Sequence, residues 1–403
     1  MKTDLRNTAT FMITALAVGH SVFHWIIQSF VVLLPEIQQT FGLSAVAIGG
    51  LLASREISSG IIRLPAGIVS DMLRTHWGLI LSACLLIGGL GALAIGISAQ
   101  YVYLLLGIAL VSMAHSVWHL PSSASLSYHF PANRGLALSF HGVGGSVGDV
   151  AGPAVTGILL MIFSWQGIIN LYSVGPFVLG VLSVWSFYRI GRVREYNLSN
   201  KSISYLFAAK ELLEDPVVWG ITIIRGLRGM ALVALLTILP LYLGNELGIS
   251  PIGRGIHIGL LIAMGLFSKP IAGFCSDRWG RKNILVPGLV WSSVMTLVLV
   301  PIDQGVGLTI SIALLGLFLY PDQPILTAAT LEIIGTNVSA TALGIATFAS
   351  FIMAATSPVI AGFLYQSFGM NWALFYISAL FAVAGLMMVL IPLKTRAIMS
   401  GRT

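Results

Sequence analysis

Arg63-Leu-Pro-Ala-Gly67-Ile-Val-Ser70-Asp71 returns as Lys269-Pro-Ile-Ala-Gly273-Phe-Cys-Ser276-Asp277, with the basic residue, glycine, serine and aspartate at one constant offset. Two looser pairs accompany it. Gly152-Pro-Ala-Val-Thr-Gly157 answers Ser357-Pro-Val-Ile-Ala-Gly362, and His119-x-Pro121 answers Asp322-x-Pro324. Self-similarity over half a chain means that one architectural unit is built twice in the same order. The longest polar stretch, Arg189 to Asp215, lies between the two copies. It divides the chain into an N-terminal unit (1–188), a linker (189–216) and a C-terminal unit (217–403).

Composition says what the units are made of. Of 403 residues, 57% are hydrophobic and 9% charged, against about 25% charged in soluble domains. A water-facing surface cannot be built from so few charges. This excludes a soluble enzyme and a disordered chain. Cys84 and Cys275 lie inside or at the end of apolar runs, so a secreted disulfide scaffold is excluded too. A bilayer core of about 30 Å takes roughly 20 apolar residues as a helix. Breaks at Pro, Gly and charge give twelve such segments: 10–34, 44–69, 78–99, 101–128, 135–163, 166–188, 217–243, 251–275, 284–302, 306–333, 338–367 and 370–393. The first run ends in Pro35-Glu36 rather than a small-residue cleavage site, and so predicts a spanning helix rather than a cleaved signal. With the N-terminus inside, almost all basic loop residues fall on the inner side and Arg254 alone on the outer. By the positive-inside rule both termini are cytoplasmic, in an inner membrane. The net charge of +7 reflects this topology rather than nucleic-acid binding.

The inner loop Gly273-Phe-Cys-Ser-Asp277-Arg278-Trp-Gly280-Arg281-Lys282 resembles the major facilitator signature G-x-x-x-D-R-x-G-R-K. The resemblance implies an all-α polytopic membrane protein, with twelve transmembrane helices in two pseudo-symmetric six-helix bundles. It also implies that Asp277, Arg278 and Arg281 latch helices at the cytoplasmic face. The first copy keeps Gly67 and Asp71 but has Met72 in place of the basic residue. Gly148-x-x-x-Gly152-Pro153 on the fifth span looks like the glycine-proline motif of the family's antiporters, and physically serves close packing with a bend. Within the family, His20, Gln28-Ser29, Ser116-Val-Trp-His119-Leu-Pro121, Arg134-Gly-Leu-Ala-Leu-Ser139 and Val143-Gly-Gly145 resemble the fosmidomycin-resistance branch, whose members look like exporters of a small phosphonate.

Ionisable groups at membrane depth cost at least about 2.5–3.5 kcal/mol each and therefore mark function. His20 and His24 on the first span, and His115 and His119 on the fourth, are each spaced i, i+4 on one face. Arg225 and Arg228 share a face of the seventh, and Asp322 and Gln323 lie on the tenth. In the family these four spans line the central cavity, so the resemblance implies one chamber with imidazoles on one wall and guanidiniums opposite. Arg225 and Arg228, with Gln323 and the four histidines, are the candidate substrate ligands, because a guanidinium fork fits carboxylate or phosphonate oxygens. An ion pair between one arginine and Asp322 is the structural alternative. His119, His141, Asp149 and Asp322 are candidate proton carriers. Arg55 is assigned to a pair with Glu56 or Asp149. Arg63 and Lys269 are assigned to snorkelling, Glu332 to no special role, and Trp77, Tyr101 and Trp372 to the membrane interface.

These readings give a monomeric, proton-coupled secondary transporter of a small anionic or zwitterionic organic solute, with efflux by antiport favoured and no cofactor. Proton symport of an organic anion remains an alternative, as does a transition-metal transporter using the paired histidines. No resident metal is assigned. No nucleotide loop, nucleophile elbow or His-x-x-His-His cluster argues for an enzyme.

Overall fold

Several crossings begin where a short polar side chain takes up the loose amides of a first turn: Thr8, Ser44, Ser164, Asp215 and Ser250 each accept from the backbone two or three residues on. In lipid every backbone group must be satisfied within the segment, so the spans are helical throughout. The computed structural model describes residues 4–187, 190, 215–302, 304–334 and 339–392. Most of the linker expected at 189–216 therefore lies outside the described residues, as do the basic residues assigned to it.

The helices run α1 (Ala9–Val32), α2 (Leu34–Phe41), α3 (Ala45–Met72), α4 (Trp77–Gly96), α5 (Tyr101–His129), α6 (Arg134–Leu159), α7 (Trp165–Ser186), α8 (Pro216–Leu241), α9 (Pro251–Trp279), α10 (Arg281–Val298), α11 (Gly305–Leu319), α12 (Asp322–Ile334), α13 (Ser339–Phe368) and α14 (Met370–Leu390). Ten crossings are long and apolar enough to span by composition alone. α6 (26 residues) and α10 (18 residues) have the length but carry His141 and Asp149, or Arg281 and Lys282. They complete the expected twelve.

Two features depart from the expected segments. α2 is an extra short helix in the first outer loop, begun by Pro35 and ended by left-handed Gly42 (φ 61°). The tenth span is broken into α11 and α12 at Tyr320-Pro321. Proline has no amide to give the carbonyl four residues back. Here the freed Leu317 carbonyl accepts from Ser268 Oγ, and the Leu319 carbonyl from Arg228.

Small residues set how closely helices approach. A Cβ on Gly144 would stand 2.2 Å from the Ala17 carbonyl oxygen, and one on Gly148 2.2 Å from that of Ser21. Gly152 faces Trp25 and Ser29 in the same seam. The glycine-proline motif thus seats α6 on α1. Overpacking a tight contact costs about 1–3 kcal/mol, so Gly148→Ala should lower the melting temperature in detergent. Gly142→Ala, on the same helix with no heavy atom within 4 Å of the new Cβ, should not. Equal melting temperatures for the two variants would contradict this packing.

Glycines also close the two halves on each other at one end. Gly49 of α3 meets the Pro358 carbonyl of α13, and Gly362 meets that of Ala45. In parallel, Gly157 of α6 meets Pro251 of α9, and Gly255 meets Pro153. Both seams lie at the end expected to face outward.

Three aromatic assignments divide. Trp372 is exposed beside Phe368 and Phe375, as an interfacial anchor should be. Trp77 is instead buried with its indole N–H on the Ser70 carbonyl, and Tyr101 donates to the Ala47 carbonyl. Both tie helix ends together rather than face lipid headgroups.

Candidate functional site

A cavity of about 180 Å³ lies between the halves, walled by α3, α8, α12 and α13. Arg55, Glu56 and Arg63 of α3 face Arg225 and Arg228 of α8, with Gln323 at the start of α12. Two of the four guanidiniums are neutralised. Arg55 Nε donates to Glu56 Oε1 at 2.9 Å, which settles its partner as Glu56 and not Asp149. Arg228 Nε donates to Asp322 Oδ2 at 2.7 Å, with Nη2 2.7 Å from Oδ1. The break in the tenth span makes this pair possible, since it turns the Asp322 carboxylate and the Leu319 carbonyl toward one guanidinium. Both members are buried.

Arg225 and Arg63 remain. Arg225 Nη2 donates to Thr327 Oγ1 at 3.0 Å, while its Nη1 is buried without a hydrogen-bond partner among the described residues. Arg63 lies 4.7 Å above the Phe351 ring, and its Nε is likewise buried and unpartnered. The snorkelling assignment is corrected. Arg63 turns inward to the cavity, and the Lys269 ammonium lies 5.7 Å from the Tyr320 ring. Depth along a helix is readable from sequence, but the direction a side chain leaves it depends on neighbours. Two guanidiniums without a paired carboxylate leave the cavity with positive charge and free hydrogen-bond donors.

The histidines form a second cluster on α1, α5 and α6. His24 Nδ1 lies 2.7 Å from Asp149 Oδ1, and His20 Nδ1 lies 2.9 Å from the His141 carbonyl oxygen. The Nε2 atoms continue as a chain, His20 to His24 at 2.9 Å, His24 to His115 at 3.1 Å and His115 to His119 at 3.0 Å. The His141 ring stacks on His20 at 4.2 Å. The expectation of a single chamber is therefore corrected. His20 and His24 turn toward acceptors on α6, His115 and His119 follow them through the Nε2 chain, and α1 and α5 do not wall the arginine cavity. Asp322 pairs with Arg228 and not with His119.

The halves are also joined by polar contacts. At the outer end Arg254, buried on α9, pairs with Glu36 of α2, and Asn245 Nδ2 donates to Gln38 Oε1 at 2.7 Å. By sequence Arg254 is only a topology exception; the signal of its role is a lone outer charge with an acidic residue in the opposite loop. At the inner end the contacts stay within the C-terminal half: Arg281 pairs with Asp277 and donates to Glu332 Oε1 of α12 at 3.1 and 3.0 Å. Glu332, for which no role was expected, thus ties α12 to the start of α10. Lys282 Nζ donates to the Ile391 carbonyl at 3.1 Å, and Arg278 is exposed. The Asp71 side chain lies outside the described residues.

Removing Glu36 leaves the buried Arg254 guanidinium without its carboxylate, at a cost below that of a fully buried pair because Glu36 is a quarter exposed. Glu36→Gln should therefore open the outer end. With Cys84 and Cys275 replaced, an Ala45→Cys probe, buried in the α3–α13 seam, should react at least several-fold faster with an impermeant maleimide. An unchanged rate would assign the closure to the glycine seams alone.

Comparison with known proteins agrees with this fold. The chain is 22% identical over 305 residues to the fosmidomycin resistance protein of Escherichia coli, covering 74% of this chain and 72% of that one. It is 21% identical to a probable nitrate transporter, NarT, of Staphylococcus epidermidis, covering 66% of each chain. It is 22% identical to a probable L-galactonate transporter of E. coli, over 82% of this chain and 77% of that one. Its fold matches that of a bacterial homologue of the human lysosomal transporter Spinster, inward-facing and occupied. The TM-score is 0.77 at 15% identity, over 95% of this chain and 96% of that one. The nucleoside transporter NupG gives 0.78 at 15% identity, over 94% and 99%. The Major Facilitator Superfamily profile matches residues 16–268 and 221–399. With six crossings built twice over and a charged cavity between the halves, this multi-pass membrane protein belongs to the Major Facilitator Superfamily and is a secondary transporter, not an enzyme.

Proposed function

We propose that the chain moves a small anion together with protons, by rocking α1–α7 against α8–α14 as two bundles in a monomer, with both termini cytoplasmic. The observation that carries this reading is the pair of buried, unpartnered guanidinium nitrogens, Arg225 Nη1 and Arg63 Nε, beside one cavity. Two stranded charges at membrane depth are costly, and a bound anion compensates both. The cavity is an order of magnitude larger than a single water requires, so a small organic anion fits with its hydration. The names of three relatives agree in charge: fosmidomycin is a phosphonate, and nitrate and L-galactonate are anions.

Asp322 is the proposed proton carrier. Ionised, it holds Arg228; protonated, it releases Arg228 toward the cavity and adds one positive charge to the anion's surroundings. Proton and anion therefore favour each other's binding, which is the chemistry of co-transport. The glycine-proline motif, the ground for expecting antiport, is accounted for by α1–α6 packing and carries no weight on direction. The test is flux in proteoliposomes, with nitrate, fosmidomycin and galactonate as probes and an internal pH dye. Inward movement of an anion should acidify the lumen. Alkalinisation would restore antiport, and movement of a lipophilic cation with no anion flux would overturn the reading.

A further inference from the structure

The arginine cavity leaves the histidine cluster without a task. His20 and His24 of α1 and His115 and His119 of α5 bring one ring nitrogen each to a common point, all four within 4.8 Å of one another. Their neighbours decide the tautomers. The His141 carbonyl at 2.9 Å and the Asp149 carboxylate at 2.7 Å can only accept, so His20 and His24 both carry their hydrogen on Nδ1. In the neutral ring each Nε2 then presents a lone pair, and the two face each other at 2.9 Å. Two lone pairs at that distance repel unless a cation lies between them.

We propose that His20, His24, His115 and His119 bind one divalent transition-metal ion of the zinc class through their Nε2 atoms. Zinc–nitrogen bonds of about 2.0–2.1 Å put tetrahedral ligands roughly 3.3–3.4 Å apart. The successive nitrogens stand at 2.9, 3.1 and 3.0 Å, so the longest separation closes by side-chain rotation of about 1–2 Å. Four neutral nitrogens suit zinc, cobalt, nickel or copper and not calcium or magnesium, which take oxygen ligands. The surroundings are those of a ligating imidazole. A carboxylate and a carbonyl hold the far nitrogens of His24 and His20, which fixes ring orientation and raises ligand basicity. The stacked His141 ring and Gly145, where a Cβ would stand 2.6 Å from the His20 ring, shape the pocket for His20. That imidazole is buried, whereas His24, His115 and His119 are half-buried. The site joins α1 to α5 and shares no residue with the anion cavity, so it goes beyond the proposed transport reaction.

The test uses the full chain, purified in detergent with no polyhistidine tag, stripped with chelator and titrated with zinc and with cobalt. Zinc should bind at one ion per chain by mass spectrometry of the eluted metal. Cobalt should give the intense visible absorption of a tetrahedral site. The double variant His24→Gln/His119→Gln should lose stoichiometric zinc. Asp149→Asn, which keeps all four ligands, should weaken zinc by roughly 10- to 100-fold as a positioning residue. His257→Gln, on α9 outside the cluster, should bind as the unaltered chain does. Nitrate affinity, read on each variant, separates lost folding from lost metal, because the anion cavity contains none of these residues. Zinc below one ion per chain in the unaltered protein, or undiminished zinc in the double variant with nitrate affinity intact, overturns the proposal. The cluster would then hold protons only.

Discussion

Arg225→Ala is expected to weaken anion binding by about 100-fold or more and to abolish concentrative uptake, while leaving the chain folded. Hydrogen bonds to charged groups contribute about 1.5–3 kcal/mol each, and each 1.4 kcal/mol is about tenfold in Kd. Arg225 offers the anion its free Nη1, and through Nη2 it can exchange Thr327 for an anion oxygen. Losing both donors removes at least about 3 kcal/mol. Folding should tolerate the change, because it removes a buried charge with no counterion rather than breaking a pair. Arg225→Lys keeps the charge but not the fork and should fall between. Arg63→Ala should resemble Arg225→Ala, with the double variant less than additive, since both guanidiniums address one ligand. The measurement is equilibrium binding of nitrate and of fosmidomycin to purified protein. Unchanged affinity in both single variants would move the anion out of this cavity.

Arg63 shows where sequence stops being informative. The repeat, the twelve spans and the signature loop are legible because they are one-dimensional properties: period, length and spacing. So are the i, i+4 histidine pairs, since a shared helix face needs only a shared helix. What joins to what is not legible. Sequence places Arg63 at a depth, and depth alone suggests snorkelling; Phe351 of α13, far along the chain, turns it inward. Sequence leaves Asp149 a candidate carrier or a partner of Arg55, and only the seating of α6 against α1 brings it to His24. The expectation of one chamber fails for the same reason. Family-level knowledge of which spans face the centre does not say that imidazoles on one of them will prefer acceptors on α6 and draw those of another into a chain. Pro321 is visible throughout, but its consequence, a carbonyl and a carboxylate aimed at Arg228, requires the partner helix.

Asp322→Asn is expected to separate anion movement from proton movement. In the unaltered chain the carboxylate holds Arg228 through Nε at 2.7 Å, so a proton arriving at Asp322 changes what Arg228 can bind. Asparagine resembles the protonated acid in shape and charge and cannot titrate. The variant should bind nitrate at least as tightly as the unaltered chain, carry it down its gradient without acidifying the lumen, and show a flat pH profile in equilibrium exchange. Stability complicates the reading, since an orphaned buried guanidinium costs about 3–5 kcal/mol. The substituted amide oxygen still accepts one hydrogen bond from Arg228, and the Leu319 carbonyl accepts another, so the loss should be smaller than in Asp322→Ala. The double variant Arg228→Ala/Asp322→Ala removes both charges and should recover part of what Asp322→Ala loses, a coupling that only a direct pair produces. Proton movement that survives in Asp322→Asn would place the carrier elsewhere, with Asp149 beside His24 the remaining candidate carboxylate, on the opposite half. The anion site would then stand without this coupling, because its two guanidiniums do not depend on how Arg228 is held.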